Sequence, residues 1–156
     1  MAVVEPAELK PALAPCARLL GLDLGTKTIG LALSDSMLSV ASPLETLRRT
    51  KFTADAEALV ALIAERKIGG LVLGLPRNMD GSEGPRAQST RAFASNMAGK
   101  TDLPITFWDE RLTTAEAERV LIDQTDMNRK RRGEVIDKMA ASIILQNFLD
   151  FLRNSG

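Results

Sequence analysis

Three acidic residues are out of place in an otherwise ordinary globular pattern. Asp23 lies inside an aliphatic alternation, Glu110 just past a short apolar run, and Asp137 on the apolar stripe of the last helical segment. Burying an ionised carboxylate without partners is very costly, and several held close together repel until one protonates. A divalent ion such as Mg²⁺ or Mn²⁺ removes both problems, because hard cations take carboxylate oxygens and keep positions for water and a phosphate. Two such ions about 3.5–4 Å apart can activate a water and stabilise a leaving oxygen. The chain has no histidine, so mechanisms needing a histidine base, nucleophile or ligand are excluded. The chemistry such a cluster could carry is metal-assisted attack of water at a phosphate.

Each acid also has an ordinary reading. Asp23 can cap a hairpin turn through backbone amides, Asp109 or Glu110 can precede a helix starting at Thr113, and Asp137 can face a helix dipole. Their coincidence at one edge of the expected sheet favours a site. Lys27, Thr26 and Thr28 adjoin Asp23 and can meet a phosphate or simply form the turn. Asn78, Asp80 and Arg86 flank a glycine- and proline-punctuated loop, where substrate contact and turn formation are both open. Arg111, beside Glu110, is a further candidate for substrate contact. The run Arg129-Lys130-Arg131-Arg132 can be solvated surface, but its place just before Asp137 suits nucleic-acid phosphates. Trp108 reads as core rather than as a base-stacking platform.

Positioning these residues takes a mixed sheet. Residues 18–35 alternate apolar and small residues on either side of Gly25-Thr26-Lys27-Thr28, which predicts an antiparallel hairpin. With a four-residue turn, Leu24 faces Ile29, Leu22 faces Leu31 and Leu20 faces Leu33, making one aliphatic face. The opposite face then sets Asp23 against Gly30 and Gly21 against Ala32, neighbours too small to cover a carboxylate. Leu38–Leu47 supplies a third strand, with Pro43 placing it at an edge. A helix is expected from an N-cap at Thr53, with Ala56, Leu59, Val60 and Ile63 inward and Gly69-Gly70 ending it. Leu71–Leu75 reads as a buried strand. Pro85 opens the next helix, with Thr90, Phe93, Ala94 and Met97 inward, and Pro104–Trp108 forms a fifth strand. A short helix from Thr113 follows, then an aperiodic loop over 124–133, then a final helix from Glu134 to Leu152. In this βββαβαβαα order the first three strands run antiparallel and the later ones parallel, with helices on both faces. Ligands in such sheets gather beyond the carboxyl ends of the parallel strands.

Bulk properties agree with one soluble domain. The chain has 156 residues, 45% hydrophobic and 26% charged, with a formal net charge of zero. No global field therefore advertises a polyanionic partner, and any basic surface is local. A single cysteine, Cys16, excludes an internal disulfide and fits a reducing cytoplasm. No run approaches the roughly 20 apolar residues of a membrane span. Residues 1–17, rich in Ala and Pro, read as a flexible leader, with the folded domain at 18–153.

Four stretches together carry a family resemblance: Gly21-Leu-Asp-Leu-Gly-Thr-Lys-Thr-Ile-Gly30, Gly74-Leu-Pro-Arg-Asn-Met-Asp-Gly81, Asp109-Glu-Arg-Leu-Thr-Thr114 and Asp137-Lys-Met-Ala-Ala141. In order and spacing they resemble the YqgF/RuvX family of the ribonuclease H-like superfamily, over about residues 18–150. The resemblance implies a ribonuclease H-like five-stranded mixed sheet and a metal-dependent nuclease. Asp23, Glu110 and Asp137 match the family's acidic positions, although Asp109 beside Glu110 leaves open which of the two ligates metal. Implied substrates are branched DNA such as Holliday junctions, or the 5′ end of small-subunit rRNA precursor. The sequence chooses neither, and it leaves pairing of two copies open. A non-catalytic nucleic-acid-binding or transcription-associated module is the alternative. The first stretch also resembles the phosphate-binding turn of actin-like ATPases, whose nucleotide lies between two domains too large for this chain.

Overall fold

In the computed structural model the described residues are 3–25, 27–76, 80, 82–109 and 129–154, those from 129 to 137 by backbone alone. The strands are β1 (Arg18–Leu24), β2 (Thr28–Ser34), β3 (Ala41–Arg48), β4 (Ile68–Leu75) and β5 (Ile105–Asp109). The helices are α1 (Pro6–Ala12), α2 (Phe52–Arg66), α3 (Pro85–Ala98) and α4 (Arg129–Asn154). The strands form one sheet in the order β3-β2-β1-β4-β5. Pairing is antiparallel through β1–β2 and β2–β3 and parallel through β1–β4 and β4–β5. This is the expected mixed sheet.

The hairpin register is as expected: Leu24 pairs Ile29, Asp23 pairs Gly30, Leu22 pairs Leu31, Gly21 pairs Ala32 and Leu20 pairs Leu33. The aliphatic face, with Leu71 and Leu73 of β4, packs under α2 and α3 around Leu59, Phe93 and Met97. The other face, with Leu19, Ala32 and Val72, packs under α4 through Ala141, Leu145, Phe148 and Leu149. Pro43 sits on edge strand β3, where pairing slips between Leu31 and Ala32. A missing N–H costs least at such an irregular edge.

Several boundaries differ from expectation, each for a local reason. β3 begins at Ala41 because the Asp35 carboxylate accepts the amides of Ser39 at 2.8 Å and Val40 at 3.1 Å, folding that stretch into a turn. α2 starts at Phe52, before Thr53, and buried Asp55 accepts the amide of Thr50 at 3.2 Å. Its inner stripe uses Leu62 where Val60 was expected, and Val60 is 39% exposed. Gly69 and Gly70 do not end α2. Lys67 does so with φ 56°, and both glycines belong to β4.

The residues read as a flexible leader include helix α1, whose Leu9 is fully buried, and Val4 donates its amide to the Ile105 carbonyl at 2.8 Å. Gly69 and Gly70 make room for this segment. A Cβ on Gly70 would come within 3.0 Å of Leu13 Cδ2 and 3.4 Å of Leu9 Cδ1, and one on Gly69 would overlap Ala17 Cβ. α4 begins at Arg129 rather than Glu134, so the basic run expected in a loop is the helix's first turn. Lys and Arg are good helix formers; only the absence of an apolar period made the run look irregular. The helix expected from Thr113 lies outside the described residues.

Candidate active site

Asp23 occupies the next-to-last position of β1, half-buried, on the face that carries α4. Two residues earlier on that face, a Cβ on Gly21 would meet Leu145 Cβ at 2.9 Å and the Ala141 carbonyl oxygen at 3.2 Å. The helix backbone therefore lies almost against β1. Its direction follows from the opposite end. Gln146 accepts the Ala41 amide at 2.9 Å and donates to the Ser39 carbonyl at 3.0 Å, and Arg153 donates to the same carbonyl at 3.2 Å. The carboxyl half of α4 thus covers the Arg18/Ser34/Ala41 end of the sheet, and its amino half runs toward Asp23. From Ala141 back to Asp137 is one turn, about 6 Å; from Gly21 on to Asp23 is about 6.6 Å of strand. The backbone brings positions 23 and 137 to the same end of the sheet. The Asp137 side chain lies outside the described residues.

Across the parallel half, Leu22 is level with Leu73, so Asp23 is level with Gly74, which pairs with Trp108. The following row ends at Leu75 and Asp109. Trp108 packs on Phe148 with centroids 5.7 Å apart and on Phe151 at 5.3 Å, in agreement with a core role. Glu110, next in sequence after Asp109, lies outside the described residues, as do Thr26, Asn78 and Arg111. Among the described residues no three acidic or cysteine side chains converge as a cage for a metal ion; Glu110 and the Asp137 carboxylate are not among the groups compared. The donor chemistry fits Mg²⁺ or Mn²⁺, since all three candidate groups are carboxylates.

The basic candidates divide. Lys27 is exposed in the hairpin turn. Arg86, exposed in the first turn of α3, donates Nη2 to the Leu24 carbonyl at 3.3 Å. Arg129, Lys130, Arg131 and Arg132 are placed by backbone only, in the first turn of α4. Sequence reasoning missed Arg49, which donates Nη1 to the Gly25 carbonyl at 2.6 Å and its backbone amide to Lys27 at 2.8 Å. Extending the hairpin register to β3, where Thr28 pairs Arg48, would have brought it to the turn. Arg91 holds Glu83 by two contacts of 2.6 Å, and this bond to the carboxylate raises the guanidinium pKa above its ordinary value.

Residues 17–151 match the family described as RuvX, Holliday junction resolvase. The chain belongs to that family. A Paracoccus denitrificans protein is 67% identical over 136 residues, covering 87% of this chain and 85% of its own length. A Ruegeria pomeroyi protein is 62% identical, covering 94% and 95% respectively. Both carry the name "Putative pre-16S rRNA nuclease". Among solved structures, T. thermophilus RuvC in complex with Holliday junction substrate superposes with a TM-score of 0.56 at 11% identity, over 88% of this chain and 96% of that one. That likeness is one of fold. This member of the family therefore has a RuvC-like, ribonuclease H-type architecture.

Proposed function

We propose that this RuvX protein is a divalent-metal-dependent phosphodiesterase that trims the precursor of small-subunit ribosomal RNA in the cytoplasm, with Asp23, Glu110 and Asp137 as its catalytic carboxylates. The observation that carries the reading is the half-buried Asp23 carboxylate on the glycine-lined side of β1, at the sheet end toward which α4 brings Asp137. The names of the relatives favour rRNA precursor as substrate. The family description favours a second reading, junction DNA, at the same site.

A pair of Mg²⁺ or Mn²⁺ ions, when bound, would supply the Lewis acidity and the nucleophilic water that a chain without histidine cannot generate from its own side chains. Asp23 would hold that charge from the rigid centre of the sheet. Asp137 would approach from α4 and Glu110 from beyond β5. Lys27, Arg86 and the basic first turn of α4, with Thr26, Asn78 and Arg111, would grip the substrate backbone.

The test is a cleavage panel of rRNA precursor and four-way junction DNA with wild type and Asp23→Asn. Wild type should cut in Mg²⁺ or Mn²⁺ and not in excess EDTA. Asp23→Asn should bind but not cut. Robust cleavage by Asp23→Asn, or by wild type in EDTA, would overturn the reading in favour of another site. Binding without any cleavage would favour the non-catalytic module.

A further inference from the structure

We infer that the cleft between the β1–β2 turn and the amino end of α3 is a second phosphate site, built by Arg49 and Arg86, that holds a backbone phosphate next to the one at Asp23. The inference rests on the nucleic-acid reading above but not on the carboxylate chemistry. The cleft has a volume of about 430 Å³ and is lined by Gly25, Arg49, Arg86, Ser89 and Thr90 among others, with no acidic side chain among its lining residues. Two guanidiniums lining one cleft repel, and neither is ion-paired to a carboxylate among the described residues. The buried Asp55 of α2 is engaged by the amide and hydroxyl of Thr50, both at 3.2 Å.

Both arginines are held from behind. Arg49 gives Nη1 to the Gly25 carbonyl at 2.6 Å and lies over the Phe93 ring at 5.8 Å; Arg86 gives Nη2 to the Leu24 carbonyl at 3.3 Å. Each guanidinium has five N–H donors in a fixed fork, so one bond to a carbonyl leaves most of them for a ligand. The carbonyls fix the forks without neutralising them. α3 adds to this, because its N-cap is Gly84, which offers no side-chain cap to the first-turn amides. A tetrahedral oxyanion matches paired forks of this kind. Gly25 lies two residues beyond Asp23, about 6.6 Å along the strand, and Leu24 faces the α2/α3 side. A strand crossing the end of the sheet from Asp23 would therefore pass directly into the cleft.

The test uses the full chain in excess EDTA, so that binding is read without cleavage. Labelled duplex and single-stranded oligonucleotides are titrated against wild type, Arg86→Gln, Arg86→Lys and Arg49→Gln/Arg86→Gln at several salt concentrations, with thermal melts to confirm folding. Each phosphate contact contributes about −0.9 to the log–log salt slope on duplex DNA and about −0.7 on single strands. Because both forks hold one phosphate, the double variant should lose about one contact of slope and Arg86→Gln part of it, while Arg86→Lys should keep most of it. Arg86→Gln is the fold-safe arm, since Arg86 is exposed. Inorganic phosphate, titrated by NMR, separates the sources. Phosphate binding lost in the double variant together with the slope change supports the inference. Phosphate binding with an unchanged nucleic-acid slope would make this a free-anion site and overturn it, as would unchanged slopes alone. A wild type that binds by this slope but never cleaves would sink the nuclease reading and leave this one standing.

Discussion

The two faces of the sheet come from the same central strands and follow opposite rules. Under α2 and α3 the inward positions of β1, β2 and β4 include Leu20, Leu22, Leu24, Ile29, Leu31, Leu71 and Leu73, all large and buried. Under α4 the matching positions include Gly21, Gly30, Ala32 and Gly74. One face is filled by strand side chains. The other is emptied so that a helix backbone can approach, and the filling comes from the helix as Leu145, Phe148 and Leu149. The emptied face also holds Asp23, where neighbouring small residues leave room for a ligand. Stability and the candidate chemistry are thus assigned to opposite sides of one strand, one residue apart.

That division predicts separable failures. The largest is Asp23→Asn, with cleavage lost and the denaturation midpoint held or raised, as expected if Asp23 belongs to the proposed set of mutually repelling carboxylates. On the opposite face, Leu22→Ala empties a fully buried position. It should destabilise by about 2–5 kcal/mol, read by chemical denaturation, while the folded fraction keeps its cleavage rate. A Leu22→Ala protein that is stable but inactive would show that the faces are not independent. Gly21→Ala tests their boundary. Its new methyl would meet Leu145 Cβ at 2.9 Å and the Ala141 carbonyl oxygen at 3.2 Å, neither the free end of a flexible chain. The helix must shift, at a cost of about 1–3 kcal/mol. Since α4 also carries Asp137, activity should fall more than folding does. Equal losses in both would mean that α4 has no part in the site.

The same contrast explains what the sequence made legible. Cross-strand partners share a face, so one assumption about the turn at Gly25 yielded the whole β1–β2 register and the exposure of Asp23 to small neighbours. The filled face was readable because large aliphatics advertise themselves. The emptied positions were not. Gly69-Gly70 looked like a helix stop, yet these glycines form a hollow in β4 that Leu9, Leu13 and Ala17 fill. The single apolar Leu9 among Pro, Ala and charged residues gave α1 no period to detect. For the site, the acidic positions were legible as misfits, whereas Arg49 was not. Its role depends on β3 pairing beside the turn, a contact between residues 24 apart in sequence.

The smallest effect lies at the far end of α4, where the emptied face is closed by polar contacts rather than by volume. Gln146 and Arg153 both donate to the Ser39 carbonyl, and Ser39 is held by Asp35 through its amide and its hydroxyl, each at 2.8 Å. The Val40 amide is the main cause of a lowered Asp35 pKa, with the Ser39 bonds adding to it and partial burial opposing. A carboxylate whose folded pKa is depressed contributes stability above its unfolded value, and loses it as pH falls through the folded one. The ordinary value of the carboxyl is 3.8, so the contribution should be constant at neutral pH and vanish under acid conditions below that value. Asp35→Asn should cost about 1 kcal/mol at pH 7, and the gap to wild type should close in denaturation curves recorded below the folded pKa. Cleavage at pH 7 should survive, since the turn lies at the opposite end of α4 from Asp137. A gap that persists at low pH would mean that Asn loses shape rather than charge. An activity loss exceeding the stability loss would mean that the register of α4 over Gly21 is set from this turn.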